Sequence, residues 1–241
     1  MDQETAHSSE HRRRGSSTKM ILIIVAIVII VVGGAFFAFK KGMLSLGEQK
    51  GKTVATVNGE PIYQHDVDLR LNQLKPTYAA QGVNLDDQAT LTTVEKQIVD
   101  EIVNEDLILQ DAKTKNISVT DAEVKDAMDQ LVASAGSQDA LDTQIKQFGM
   151  SSADLQDTLQ RNLILQKYVD QLSAAQNITV SEKEISDAYD QMTQGQAAST
   201  TPALKDVHDQ VEEQVKNQKI AAQVLAVVNQ LKQTAKINIL I

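Results

Sequence analysis

The sequence predicts a mainly α-helical domain with a small terminal β-sheet, preceded by one transmembrane helix. Residues 20–39 form an uncharged apolar run. From Gln64 onward, apolar residues recur with a helical period for nearly the whole chain. The β-prone stretches lie near residue 53 and at the very end of the chain. We therefore expect the first and last strands to pair and to join the two ends of the domain.

Composition excludes several classes of protein. The chain has 241 residues, 32 Asp and Glu against 23 Lys and Arg, and no Cys. Without cysteine there is no disulfide framework, thiolate zinc site, iron–sulfur cluster or cysteine nucleophile. A net charge of -9 argues against a nucleic-acid partner, because binding phosphates requires Lys and Arg.

The apolar run at residues 20–39 is long enough to cross a membrane. At about 1.5 Å per residue, a helix of this length spans roughly 30 Å, the thickness of the hydrocarbon core. The alternative is a cleaved signal peptide, whose apolar region is usually roughly 7 to 15 residues long and is followed by a small-residue cleavage site. Lys40 and Lys41 end the run instead. We expect a retained anchor in contact with membrane lipid.

The charges around this anchor predict its orientation. Arg12, Arg13 and Arg14 precede it, and the positive-inside rule then favours an N-terminus in the cytoplasm. Residues 1–19 are expected to be a disordered cytoplasmic tail. A juxtamembrane linker follows at residues 40–52, and residues 53–241 form the extracytoplasmic domain.

The domain begins with a hairpin signal. Residues 53–57 alternate as a strand, and Asn58-Gly59 is the dipeptide most typical of a tight hairpin. Pro61 limits the returning segment to a short edge strand. Helical periodicity then starts at Gln64, and we expect the first helix to end near Pro76, followed by a loop at residues 78–88.

Capping signals mark most of the following helices. Thr92 and Glu95 form a capping box that predicts the start of a long central helix ending near Lys115. Asn116-Ile117 turns the chain. Further helix starts are expected at the capping box Thr120/Glu123, near Asp139, at Ser151 or Ser152, and at the capping box Ser181/Glu184.

An internal repeat links two of these helix starts. Residues 116–131 and 177–192 are identical at eight of sixteen positions, including a shared Asp-Ala-x-Asp-Gln segment that capping alone does not explain. A linker at residues 193–201 follows the second copy. Thr201 and Pro202 then predict the cap and first residue of a helix running to about residue 235.

The last helix and strand complete the predicted domain. The helix carries one expected apolar stripe, formed by Leu204, Val207, Val211, Val215, Ala222, Leu225, Val228 and Leu231. Residues 236–241 are expected to pair with residues 53–57. Ile237, Ile239 and Ile241 would share the buried face of that strand, since side chains alternate along it.

Five stretches of the domain resemble a known family. They are VATVNGEPIYQHDVDLRL, QIVDEIVNEDLILQDAKTKNISVTDAEV, FGMSSADLQDTLQRNLILQKYV, ITVSEKEISDAYDQM and the terminal AKINILI. In this order they are similar to the N-terminal chaperone domain of SurA-type periplasmic chaperones and of the related PrsA-like foldases. The resemblance implies a SurA N-terminal-domain-like helical bundle over residues 53–241. In that family a parvulin-type prolyl isomerase domain usually follows the segment matching 177–192. Here the linker 193–201 stands in its place.

Catalytic chemistry is not expected from the residues. We expect no metal site at His7, His11, His65 or His208. We also expect no cofactor, and no serine-nucleophile or phosphate-loop motif is present. The paired carboxylates Asp86-Asp87, Asp100-Glu101 and Glu105-Asp106 are expected on solvated surfaces rather than in acid–base sites. The chain is therefore expected to bind rather than to catalyse.

The resemblance and the composition together predict an ATP-independent chaperone that is anchored in the membrane and binds unfolded or exported polypeptides. Adaptable apolar side chains are the candidate client-binding residues. They are Tyr63, Tyr78, Met128, Phe148, Met150, Tyr168, Tyr189 and Met192. Core packing is the competing role for each of them. The alternative function is a non-catalytic adaptor for one dedicated envelope or membrane-assembly partner. An active prolyl isomerase is the least favoured possibility, and the sequence predicts no oligomeric state.

Overall fold

A computed structural model describes residues 51–194 and 202–241 of the chain. The strands of this part are β1 (Thr53–Val57), β2 (Glu60–Tyr63) and β3 (Ile237–Ile239). Its helices are α1 (Gln64–Ala80), α2 (Gln88–Thr114), α3 (Asp121–Ala135), α4 (Gln138–Gln147), α5 (Ser152–Ala175), α6 (Glu182–Thr193) and α7 (Leu204–Thr234). The prediction of a mainly helical domain with a small sheet is confirmed.

The three strands form one sheet in the order β2-β1-β3, with both pairings antiparallel. Asn58 and Gly59 connect β1 to β2 with φ values of 54° and 89°. Positive φ at both turn positions is the hairpin geometry that Asn-Gly favours. In the other pairing, Ala55 lies opposite Ile239. The predicted hairpin and the predicted pairing of the first and last strands of the domain are both confirmed.

The predicted burial of β3 is wrong beyond its first residue. Ile237 packs against the core beneath the sheet, whereas Ile239 is 45% exposed and Ile241 is 39% exposed. Helix α7 ends at Thr234, directly before the strand. Only the start of β3 therefore lies over the helices, and the rest runs along the open edge of the sheet.

Helix α2 is the centre of the domain, as predicted. Eleven of its residues are buried, and it contacts α1, α5, α7 and the first two strands. It begins at Gln88, four residues before the predicted Thr92. The carboxylate of Asp87 accepts the backbone N–H of Thr90 at 2.9 Å and caps the helix. Asp is among the strongest N-cap residues, and its cap adds a full turn ahead of Thr92.

Helix α1 passes through Pro76 and ends at Ala80, so residues 78–80 are helical rather than part of a loop. Proline removes one backbone donor but leaves the following turn free to continue. Tyr78 packs against the core, and its carbonyl accepts the N–H of Val83 at 2.9 Å. Packing of this last turn outweighs the local cost of the proline.

The sequence repeat is also a structural repeat. Asn116 and Asn177 both adopt positive φ, 57° and 46°, at the turns after α2 and α5. In each copy the next helix starts with a complete capping box, at Thr120 and at Ser181. The two copies therefore use the same path of the backbone to reverse direction and start a short helix.

Each repeat is fastened to a neighbouring long helix by one lysine. Lys167 of α5 donates to the carbonyl of Ser118 at 3.0 Å and contacts the Glu123 carboxylate at 2.7 Å. Lys219 of α7 makes the equivalent bonds, to the carbonyl of Thr179 at 2.7 Å and to Glu184 at 2.6 Å. The same pair of lysine contacts therefore attaches α3 to α5 and α6 to α7.

Helix α7 differs from the prediction in its start and in its buried faces. It begins at Leu204, with Pro202 outside the helix, and runs for about 46 Å. Val211 and Val215 are buried against α6, whereas Val224 and Val228 are buried in the cluster that includes residues of α2 and α5. Val215 and Val224 are nine residues apart, which places them on opposite sides of a helix. The single predicted stripe is therefore wrong.

Within the two described ranges, no helix has both the length and the apolar character needed to cross a membrane. The predicted anchor at residues 20–39 lies outside these ranges. So do the tail at residues 1–19, nearly all of the juxtamembrane linker and most of the linker 193–201.

Candidate functional site

A surface pocket lies between α6 and α7 and has a volume of about 200 Å³. Its walls combine apolar side chains with amides and one hydroxyl. They are formed by Tyr189, Met192, Thr193, Pro202, Val207, Gln210, Val211 and Gln214. Met192 is 47% exposed and lies beside the buried Val211. An accessible thioether over a buried apolar base can adapt to apolar ligands of different shapes.

The local sequence fixes the position of this pocket. Ser181 caps α6 at one end, and Lys219 ties Glu184 to α7. At the other end the Tyr189 hydroxyl donates to the carbonyl of Pro202 at 2.6 Å. Ile185, 1% exposed, packs between these two attachments. The pocket is therefore built on a helix held at both ends.

A second exposed apolar surface lies farther along α7, beyond the contact of α7 with α6. Ala222 and Leu225 follow Val211 and Val215 on the same side of the helix. Leu225 is 59% exposed, and Ala222 is exposed as well. The face of α7 that α6 covers in its first half is thus uncovered farther along.

Charge pairs surround the α6–α7 contact. The Lys219 ammonium, together with backbone and side-chain donors of the capping box, lowers the pKa of Glu184 to about 2. His208 Nε2 lies 3.1 Å from Glu182, and this contact raises the pKa of the imidazole. Both effects favour the ionised forms of these pairs between the two helices.

One group of possible metal ligands occurs among the described residues, formed by His208, Asp209 and Glu212. It is exposed on the surface of α7, and ion pairs of His208 account for its geometry. His7 and His11 stand four residues apart with Glu10 between them, a spacing known from zinc enzymes. Those residues lie outside the described ranges, and the expectation that they bind no metal stays a prediction.

A buried ionic cluster joins α1, α2 and α5. Arg161 donates from Nε to Glu105 at 2.7 Å and from Nη2 to Asp106 at 2.9 Å. Arg70 donates to the second oxygen of Glu105 at 3.2 Å. All four residues are at most 4% exposed. The expectation that Glu105 and Asp106 lie on a solvated helix face is wrong.

Burial dominates the electrostatics of this cluster. It raises the pKa of Asp106 to about 8 against the attraction of Arg161, and the nearby Glu105 charge adds to the rise. Burial also lowers the pKa of Arg161. A perturbed carboxyl is often a sign of catalysis. Asp106 is 2% exposed and bonded to Arg161, so it lacks access to a substrate and acts as a structural group.

The structure brings together two of the eight candidate client-binding residues, Tyr189 and Met192, in the α6–α7 pocket. Phe148, 36% exposed, lies at the end of α4. The remaining candidates are partly buried or fill the core: Tyr63, Tyr78, Met128, Met150 and Tyr168.

Two of these core residues have little access to solvent. Tyr168 is 2% exposed and donates its hydroxyl to Asp111 at 2.6 Å. Met150 is 7% exposed and packs in the cluster shared by α3, α4 and α5. Tyr78 is partly buried against the core. Sequence reasoning missed Leu225, because it was placed in the buried stripe of α7.

These features define a helical domain with paired end strands, a buried ionic centre and an apolar surface pocket. The family comparison is more specific. A family model described as the SurA-like N-terminal domain matches residues 12–169, which is more than half of the chain. The chain belongs to this family.

Several curated proteins are similar to the chain. Chaperone SurA of Chromohalobacter salexigens is 27% identical over 150 residues, covering 62% of this chain and 33% of that protein. Chaperone SurA of Pseudomonas putida is 27% identical over 135 residues, covering 56% of this chain and 31% of that protein. Foldase protein PrsA of Caldanaerobacter subterraneus subsp. tengcongensis is 38% identical over 84 residues, covering 32% of this chain and 28% of that protein. The chain thus matches only about a third of the length of these relatives.

Proposed function

We propose that this protein is a membrane-anchored, extracytoplasmic chaperone that binds unfolded or exported polypeptides without ATP. The observation that carries the proposal is the apolar α6–α7 pocket, with the exposed Leu225 farther along α7 as a second apolar surface. Membership of the SurA-like family and similarity to proteins named chaperone or foldase support it.

The pocket suits polypeptide segments better than a metabolite. Small-molecule sites usually occupy roughly 300 to 1,000 Å³ and enclose their ligand. The pocket here has about 200 Å³ and lies at the surface of the domain. One side chain of a client enters such a pocket while its neighbouring residues stay on the surface outside it.

The proposed activity is binding without catalysis. The second repeat ends at Met192 and α7 begins at Leu204, with residues 195–201 as the segment outside the described ranges. Seven residues are far too few for an inserted isomerase domain at this position. The purified protein should leave the cis–trans exchange of a proline peptide at its uncatalysed rate, tens to hundreds of seconds. Clear acceleration would contradict this part of the proposal.

An aggregation assay tests the chaperone function. The full-length protein should reduce light scattering from two unrelated, chemically denatured proteins at near-equimolar ratio and without ATP. Met192→Asp should weaken this effect severalfold, because it places a charge in the apolar pocket. Gln130→Asp, at an exposed position of α3, adds the same charge and should leave the effect unchanged. Failure of the wild-type protein with both clients would contradict the proposal, and capture of one native partner instead would favour the adaptor function.

Anchoring and orientation are part of the same proposal. We propose a cytoplasmic tail at residues 1–19, an anchor at residues 20–39 and a linker at residues 40–52 before the domain at residues 53–241. The basic cluster before the apolar run supports this orientation. Protease added outside intact spheroplasts should digest the domain and leave the tail protected. Digestion of the tail alone would reverse the orientation and contradict the proposed localisation.

A further inference from the structure

We infer that the α6–α7 pocket prefers client segments in which one apolar side chain is flanked by lysine or arginine. The inference rests on the proposed function and adds the class of polypeptide that the site selects. It follows from the size of the pocket and from the charges on its rim.

The size of the pocket limits what enters it. A volume of about 200 Å³ between Tyr189, Met192 and Val211 holds a single large apolar side chain rather than a folded element. Gln210 and Gln214 line the same pocket and offer amide groups at its mouth. The residues on either side of the anchoring side chain must therefore lie on the rim.

The rim carries negative charge. Asp206 precedes the pocket-lining Gln210 by four residues and Glu213 follows it by three, so all three lie on one side of α7. Asp190 follows Tyr189 directly on α6. Among the described residues, none of these three carboxylates forms an ion pair, in contrast to Glu184.

Positive charge is scarce on this side of the domain. Residues 182–213 contain eight Asp and Glu and two Lys. Lys205 and Lys216 lie roughly 120 to 140° around the helix from Gln210, given 3.6 residues per turn. Lys219 is bonded to Glu184. Lys216 is three residues from Glu213 and offsets part of its charge. Among the described residues, however, neither Lys205 nor Lys216 forms an ion pair, so most of the negative potential of the rim remains.

This charge distinguishes the possible occupants. A second copy of the chain would bring the same acidic surface against itself, and an anionic membrane surface would also be repelled. A basic segment with an apolar centre satisfies both the pocket and the rim. Complementary charge also accelerates encounter with such segments.

Two matched peptides test the inference. Both carry the same apolar centre, but one has lysine flanks and the other glutamate flanks, and binding to the full-length protein is followed by fluorescence anisotropy. We expect the lysine-flanked peptide to bind at least about tenfold more tightly at low salt, with a smaller difference in 0.5 M NaCl, because salt screens exposed charges. Equal affinity, or tighter binding of the glutamate-flanked peptide, would overturn the inference.

Two triple variants test whether the acidic rim causes the preference for lysine-flanked peptides. Neutralising the rim with Asp190→Asn, Asp206→Asn and Glu213→Gln should remove most of the preference for lysine flanks while leaving the melting temperature unchanged. If the preference survives in this variant, the rim is not its source, and the inference fails.

The control variant carries Asp100→Asn, Asp126→Asn and Asp170→Asn, three exposed positions on other helices. It has the same change in net charge and should keep the preference. Equal loss in both variants would assign the effect to net charge and overturn the inference. If both peptides bind equally and aggregation is still suppressed, the proposed function stands and the inference alone fails. If neither peptide binds and denatured proteins aggregate freely, both fail.

Discussion

Removal of the Arg161 side chain should destabilise the domain more than most single substitutions. In Arg161→Met, the shape of the side chain is roughly kept, but Glu105 and Asp106 lose donors at 2.7 and 2.9 Å. Both carboxyls are at most 2% exposed, so water does not replace these bonds. Breaking a buried ion pair from one side usually costs about 3 to 5 kcal/mol.

Protonation moderates this cost. Burial already raises the pKa of Asp106 to about 8, and a neutral Asp106 is less costly to bury than a charged one. We therefore expect the lower part of the range near pH 7 and a larger loss at pH 9. Urea unfolding of the full-length protein, followed by circular dichroism, measures the free energy of unfolding.

A double-mutant cycle with Glu105→Gln separates the ion pair from lost packing. The loss of unfolding free energy in the double variant should be smaller than the sum of the two single losses, by about 0.5 to 3 kcal/mol. The reason is that the neutral side chain of Glu105→Gln leaves no buried charge unpaired at this position when Arg161 is removed. Arg161→Lys serves as the control that keeps the charge but loses the forked geometry, and it should fall between wild type and Arg161→Met. A loss below about 1 kcal/mol in Arg161→Met, or additive behaviour, would refute the reasoning.

Three further predictions concern single groups. Between about pH 4 and pH 8, Asp106 carries a proton in the folded protein but has already lost it in the unfolded chain. The contribution of Asp106 to stability therefore falls as the pH rises through this window and is lost above it. Asp106→Asn should flatten that pH dependence in thermal melts, and an unchanged slope would contradict the assignment. Hydrogen bonds from Lys167 and the capping box lower the pKa of Glu123 to about 2. Lys167→Met should raise this pKa in an NMR titration, and no change would show that the capping box acts alone. Ile237→Asp should cost several kcal/mol, because it sets a carboxylate against the core, whereas Ile239→Asp on the open edge should be nearly neutral in the same melts. Equal effects would show that the strand is frayed or fully covered.

Features set by neighbouring residues could be predicted from the sequence. The capping boxes at Thr120 and Ser181 need only residues three apart, and both are present. The Asn58-Gly59 turn depends on residues that tolerate positive φ. Pairing of β1 with β3 also followed, because the domain offered few other β-prone segments.

Features that depend on distant partners could not be predicted. The buried partner of Asp106 is Arg161, 55 residues along the chain, and an adjacent Glu-Asp pair by itself is typical of a solvated surface. One signal was available, because a central helix covered on several sides must bury whatever charges its buried faces carry. The change of buried face along α7 could not be predicted either, because the periodicity of apolar residues does not show that a helix packs against different neighbours along its length.

The pairing of β1 with β3 has a consequence for how the protein is made. Asn58 and Lys236 bond to each other across 178 residues of chain. At about 5 to 20 residues per second, the ribosome needs roughly 10 to 40 s to reach the second partner after making the first. During this time the outer edge of β1 stays open, and the helices between the two strands are free to form first. The sheet is complete only after residues 237–239 have been made and paired with β1.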